Sequence, residues 1–299
     1  MKIVNIIGGL GNQMFQYAFA LALQKRHKGE VVKIDTSHFN YIFIKKYKSA
    51  NLHNGYEIEE VFPNARLPRA TPWNLMKLTW YMPNYVLSRV VRRILPIRKH
   101  EYIQKPKDIF AYGADVFNAA GNGYYEGVWQ AVDYYLNVKD ELREVFAHPV
   151  PNGYNKKLIN DIHNSNSVGL HVRRGDYLAA PEFNGICNLE YYKKAIAEIL
   201  KDNQKHSFYI FSNDIPWCKQ EIEPLISGHD IIYVTENVGK NSCWDMFLMT
   251  YCKDLIIANS SFSWWGAFLN KDVRKVVVPS RWVNRDGKQE NYCEGWIKV

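Results

Sequence analysis

Two arginines beside a glycine, in the run His171-Val-Arg-Arg-Gly-Asp-Tyr177, have the chemistry of an anion site. A guanidinium offers two parallel N–H donors to two phosphoryl oxygens and does not lose its charge. The run follows an apolar stretch that reads as a strand, whose period of two sends Arg173 and Arg174 to opposite sides. One is therefore assigned to phosphate, here Arg173, and the other to an acid such as Asp176; the bland alternative is a structural Arg–Asp pair. A second anion site is offered by Asn259, Ser260, Ser261, Phe262 and Ser263, where hydroxyls meet the unpaired N–H groups of a helix start. Taken alone, that segment is a plain serine cap. Ser212-Asn213-Asp214 reads as a ribose or base contact.

These segments need elements to position them. Strands are expected at residues 168–172, 208–211, 231–234, 255–258 and 276–278, alternating with helices at 189–201, 217–225, 242–253 and 263–269. Such alternation predicts a parallel sheet covered on both faces, with the candidate segments gathered beyond the strands' carboxyl ends. Asn188 is the capping candidate for a helix whose Leu189, Tyr192, Ala195, Ile196 and Ile199 recur at helical spacing. The N-terminus reads as a second βαβ unit: strand 3–7, a turn with Gly8, Gly9 and Gly11, a helix to about His27, and strand 31–35. Residues 41–121 hold six prolines without clear periodicity.

At 299 residues, two domains are expected, at 1–150 and 151–299. The uncharged run 3–23 contains too many Asn, Gln and Gly for a signal peptide or a membrane span, so the chain is read as cytoplasmic. Five cysteines without a C-x-x-C pair argue against a disulfide framework or a zinc site and for buried free thiols. A net charge of +8 points to an anionic partner. Residues 73–99 mix aromatic, aliphatic and basic residues; a solvated helix over the core is preferred there to peripheral contact with anionic lipid at the inner face of the membrane.

The motifs resemble those of the α-1,2-fucosyltransferases, glycosyltransferase family 11. They are GGLGNQMFQYA (residues 8–18), YYEGVWQ (124–130), HVRRGDY (171–177), NLEYYKKAI (188–196), FSNDIPWCK (211–219) and IIANSSFSWWGAFLN (256–270), in one order over nearly the whole chain. The resemblance implies an α/β GT-B fold, two Rossmann-like domains with parallel sheets facing a central cleft. It implies inverting transfer of L-fucose from GDP-β-L-fucose to the 2-hydroxyl of a terminal β-galactoside, with the acceptor bound by residues 1–150 and the donor by 151–299. Arg173 then meets the β-phosphate, His171 approaches guanine, Asp245 reads its N–H edge, and Ser260 and Ser261 hold phosphate. Asn12, Gln13, Trp129 and Gln130 are candidates to orient acceptor sugar. Asp176, Glu126 and Glu182 are candidates for the base. No metal or other cofactor is expected.

Two other classes stay open at this point. A lectin or nucleic-acid-binding module would use Trp and Arg surfaces without catalysis, although no nucleic-acid motif is present. A nicotinamide-dependent oxidoreductase would use Gly9-Leu-Gly11 with Asp35, but Met14 stands where a third glycine belongs.

Overall fold

The computed structural model describes residues 1–39, 54–82 and 85–299; residues 40–53 and 83–84, part of the stretch that the sequence leaves unparsed, lie outside the described residues. The chain divides into two units, Met1–Ala147 with Gly287–Asn291, and His148–Asp286 with Tyr292–Val299.

The first unit starts with β1 (Lys2–Asn5), α1 (Leu10–Arg26) and β2 (Val32–Asp35). It continues with α2 (Pro72–Leu78), α3 (Tyr85–Ile94), β3 (Glu101–Ile103) and β4 (Gly123–Glu126). The strands form a parallel sheet in the order β2-β1-β4-β3. The uncharged run at the N-terminus is thus strand, turn and helix. Gly8 makes the turn at φ +81°, a conformation open to glycine without strain. Nearly all of α1 is buried, and its last turn places Lys25 and Arg26 against the negative end of the helix dipole. Phe19 on α1 anchors an aromatic core: its ring stacks on Trp129 at 4.4 Å and meets Tyr134 edge-on at 5.0 Å.

The second unit contains α4 (Gly153–His163), β5 (Ser167–Val172), α5 (Leu189–Ile199), β6 (Ser207–Ser212) and β7 (Asp230–Val234). After these come α6 (Cys243–Met249), β8 (Asp254–Ile256), α7 (Ser261–Leu269), β9 (Lys275–Val278) and β10 (Ile297–Lys298). All six strands are parallel, in the order β10-β9-β8-β5-β6-β7. The chain runs from β5 outward through β6 and β7, then returns to the other side of β5 with β8. That reversal makes the carboxyl ends of β5 and β8 the topological switch point, where open parallel sheets bind ligands. The Asn188 side chain caps α5 by accepting from Tyr191 N–H at 3.0 Å, and Tyr192, Ala195, Ile196 and Ile199 enter the core as their spacing predicts.

Two expectations need correction. The helix expected at 217–225 is broken into short turns of changing pitch between Ile215 and Ile226; Pro216 suits the first turn, while Pro224 removes an N–H donor that a continuing helix needs. The five cysteines are free, but only Cys218, Cys243 and Cys252 are buried; Cys187 and Cys293 are partly accessible.

Gly169 lets β5 sit close under the end of α6: a Cβ there would lie 2.7 Å from Leu255 Cδ2 and 3.0 Å from Cys252 Sγ. Gly169→Val should therefore displace the strand that carries His171 and Arg173, destabilising the protein by about 1–3 kcal/mol. A thermal-melt midpoint unchanged from wild type would contradict this packing.

Candidate functional site

At the carboxyl end of β5 the two arginines part, as the strand period requires. Arg174 turns to Asp214 (3.0 Å) and lies over the Trp217 ring at 4.2 Å. Its N–H donates to Asn213 Oδ1 (2.9 Å), while Asn213 Nδ2 donates back to Arg174 O (3.3 Å). Ser212 Oγ accepts from Asp214 N–H, and Asp214 accepts from Trp217 N–H at the start of the next turn. Ser212, Asn213 and Asp214, expected as ribose or base contacts, thus fasten β6 to the loop after β5. Gly175, at φ +58°, turns that loop away; a Cβ would meet Asn213 Nδ2 at 2.8 Å.

Arg173 takes the opposite side. Its guanidinium pairs with Asp176 at 2.8 Å and stands 5.3 Å from the Tyr177 ring centroid, and its Nε is buried without an acceptor. Arg173, Tyr177, Phe183, Cys187 and Asn259 line a shallow, open depression together with Arg174.

The start of α7 comes to the same edge. Ser260 is buried and caps the helix by accepting from Phe262 N–H (3.4 Å). Ser261 opens the first turn. Asn259 is buried and donates to Trp282 O (3.1 Å), and its Oδ1 accepts from the Cys187 thiol (3.3 Å). Burial pushes that thiol up to about 12, so it stays protonated.

His171 lies 7% exposed, with its ring 6.1 Å from that of Phe262 and Nδ1 lacking any hydrogen-bond partner. Burial, helped by the charge of Arg173, lowers its pKa to about 3, so the imidazole is neutral at physiological pH. Asp245, in the first turn of α6, accepts from Asn237 Nδ2 (2.9 Å), and Asn237 is locked in a reciprocal pair with Asn155 on α4. Burial raises the Asp245 pKa to about 7 against the lowering effect of Asn237. Asn155, 82 residues before Asn237, had no motif to mark it.

In the first unit the candidates separate. Trp129 is 2% exposed and its indole face is covered by Phe19, so it is a core residue and does not offer that face to a sugar. Gln13 is fully buried, donating to Gly8 O and Gly55 O and accepting from Glu57 N–H; it ties the glycine turn to a neighbouring loop. Asn12 remains partly accessible and accepts from Gln130 Nε2 at 2.8 Å. Glu126 pairs with Arg92 at 2.6 Å, and the same guanidinium reaches the buried Glu101 at 3.0 Å. Asp35, the acid of the nicotinamide reading, is buried and accepts from Tyr124 OH (2.8 Å) and Asn5 Nδ2 (3.3 Å). Glu182, in the second unit, lies 3.7 Å from Arg285. Among the described residues, no three His, Cys, Asp or Glu side chains gather as metal ligands.

Asp245 carries a pH signature. Its folded pKa, about 7, exceeds its ordinary value of 3.8, so its contribution is present at low pH and is lost as pH rises through 7. The slope is at most about 1.4 kcal/mol per pH unit. Melting midpoints between pH 5 and 8 should show Asp245→Asn gaining on wild type as pH rises; parallel profiles would contradict the burial of an unionised carboxyl.

The whole chain, residues 1–299, matches the family model described as glycosyl transferase family 11. It is 32% identical over 305 residues to an alpha-1,2-colitosyltransferase of Escherichia coli, covering 99% of this chain and 98% of that one. It is 30% identical over 312 residues to the O-antigen biosynthesis glycosyltransferase WbnK of Escherichia coli, with 98% of each covered. A galactoside alpha-(1,2)-fucosyltransferase 2 of Hylobates lar is 23% identical over 287 residues, covering 90% of this chain and 69% of that one. Among solved structures, a mutant of Arabidopsis thaliana FUT1 in complex with GDP aligns over 95% of this chain and 71% of its own with a TM-score of 0.51 at 12% identity, a likeness of fold alone. The chain belongs to glycosyltransferase family 11, with α-1,2-colitosyl- and α-1,2-fucosyltransferases among its relatives, and its two parallel α/β units are of the GT-B type.

Proposed function

We propose that the protein transfers L-fucose from GDP-β-L-fucose to the 2-hydroxyl of a terminal β-galactoside, inverting the anomeric centre. The observation that carries this reading is the convergence of Arg173 with the Ser260–Ser261 helix start at the switch point of the second unit, joined by a buried neutral imidazole. Arg173 holds an unsatisfied Nε toward an acceptor that the chain does not supply. In this reading the β-phosphate takes that place. Negative charge grows on it as the sugar–phosphate bond breaks, so a fixed guanidinium and helix N–H groups stabilise the transition state more than the ground state. That charge compensation lets the reaction proceed without a divalent metal or other cofactor.

His171 and Asp245 are assigned to guanine. The ring N–H and amino donors of the base suit an ionised carboxylate, and a neutral imidazole can pack and hydrogen-bond without charge. The first unit is assigned to the acceptor, through the accessible Asn12 and its partner Gln130. Trp129 and Gln13 support that edge from the core. Of the candidate bases, Glu126 is tied to Arg92, Asp176 to Arg173, and Glu182 stands near Arg285. Asp176 is the one that GDP would release by taking its arginine, which makes it the candidate we retain for proton removal. Colitosyl transfer is the second reading, favoured by the Escherichia coli relative.

Arg173→Ala should leave the melting midpoint within a few degrees of wild type, lower turnover about 100- to 1000-fold, and weaken GDP binding about tenfold or more. Assays of GDP release should use GDP-fucose and GDP-colitose side by side on a panel of β-galactosides, with and without a chelator. Retained turnover in Arg173→Ala, or loss of wild-type turnover on chelation, would overturn the assignment. GDP affinity, measured by calorimetry, should also strengthen as pH rises from 6 to 8 in wild type and stay flat in Asp245→Asn; matching pH profiles would remove Asp245 from the guanine site.

A further inference from the structure

Helix α3 is turned inside out relative to a helix on an ordinary protein surface. Its inward face is polar: Ser88 is buried, its Oγ accepting from Met82 N–H (2.7 Å) and donating to Met82 O (2.9 Å), and Arg92 reaches Glu101 and Glu126. Its outward face is apolar, with Val90 exposed, Ile94 76% exposed, and Ile97 beyond the helix end 62% exposed. At 3.6 residues per turn, Ser88 and Arg92 fall on one side and Val90 and Ile94 on nearly the opposite side. The sequence reading of a solvated helix did not say which residues face solvent, and here Val90 and Ile94 do.

The neighbouring α2 extends this face. Trp73 is 73% exposed and Met76 is exposed beside it. The segment after α3 is pinned to α2: Arg98 donates to Met76 O (3.1 Å) and lies 3.9 Å from the Trp80 ring centroid, and Trp80 Nε1 donates to Pro96 O (2.9 Å). Residues 96–98, with the exposed Ile97 among them, are in this way held beside the exposed Met76.

The charge around it is one-sided. Residues 61–100 contain eight Lys and Arg and no Asp or Glu, while the other residues contain thirty of each, so the net charge of +8 corresponds to this one segment. Lys77, Arg93 and Lys99 are exposed within it. An exposed apolar face bordered by cations, with acids absent from the segment, matches an interface that is both anionic and apolar. No helix among the described residues is long and apolar enough to cross a membrane.

We propose that α2, α3 and residues 95–99 form a docking face for an anionic lipid bilayer, with Trp73, Ile94 and Ile97 entering the headgroup boundary and Lys77, Arg93 and Lys99 meeting lipid phosphates. The occupant is a lipid surface rather than a second copy of the chain, because two copies facing each other here would bring together two segments of the same positive charge.

Flotation of the full-length protein with phosphatidylcholine vesicles containing about 30 mol% phosphatidylglycerol, and with phosphatidylcholine alone, tests this. Wild type should float with the anionic vesicles, release at high salt, and show a blue-shifted tryptophan emission that Trp73→Phe reduces. The pair Ile94→Glu and Ile97→Glu, and separately Lys77→Gln with Arg93→Gln and Lys99→Gln, should each reduce binding about tenfold or more while leaving the melting midpoint and GDP release on a soluble acceptor unchanged. Absence of wild-type binding, binding by both variants as strong as that of wild type, or a self-associated wild type that the glutamates dissociate without any lipid binding would each overturn the proposal. Lipid binding is read independently of turnover, so its failure is distinct from failure of the proposed reaction.

Discussion

The carboxyl edge of the second unit depends on how two neighbouring arginines are divided between acids. Arg174 is taken by Asp214 and Trp217, and its backbone is fastened to Asn213. This holds the loop after β5 against β6 and leaves Arg173 no freedom to join the same side. Arg173 instead lines the depression that Asn259 borders, and among the described residues its carboxylate contact is the exposed Asp176. Solvent-exposed pairs of this kind contribute about 0–1 kcal/mol, little enough for a phosphate to displace the carboxylate. An arginine held in position by a weak partner is suited to bind and release an anionic leaving group in each turnover.

The surroundings follow from that division. The Cys187–Asn259 hydrogen bond fastens the segment that follows the β5 loop to the residue before the α7 cap, and Arg173 and Asn259 line the same depression. Burial makes His171 neutral and keeps the Asp245 carboxyl half-protonated near neutral pH. Both groups would cost free energy in a site without a ligand, and both become reasonable where a base with its own donors and acceptors completes the hydrogen bonding.

Much of this was legible in the sequence, because the signals were local. The strand period separated Arg173 from Arg174, helical spacing and Asn188 located α5, and the alternation of elements brought the 171–177 and 259–263 segments to one edge. The remainder depended on partners distant in the chain. Nothing near Trp129 announces that Phe19 will cover it, and nothing near Gln13 announces Gly55 or Glu57. Nothing near Asp214 announces its pairing with Arg174, forty positions away. In the α2–α3 region periodicity shows that a helix has an apolar face but not which way the face points, and here Arg92, held by Glu101 and Glu126, leaves Val90 and Ile94 exposed.

The central claim is that GDP takes Arg173 from Asp176, and a crystal structure of the protein with GDP tests it most directly. The account predicts the β-phosphate within hydrogen-bond distance of the Arg173 guanidinium and of the N–H groups at Ser261, with Asp176 released and Arg174 still on Asp214. GDP bound with the Arg173–Asp176 pair intact, or with its diphosphate away from the start of α7, would contradict it.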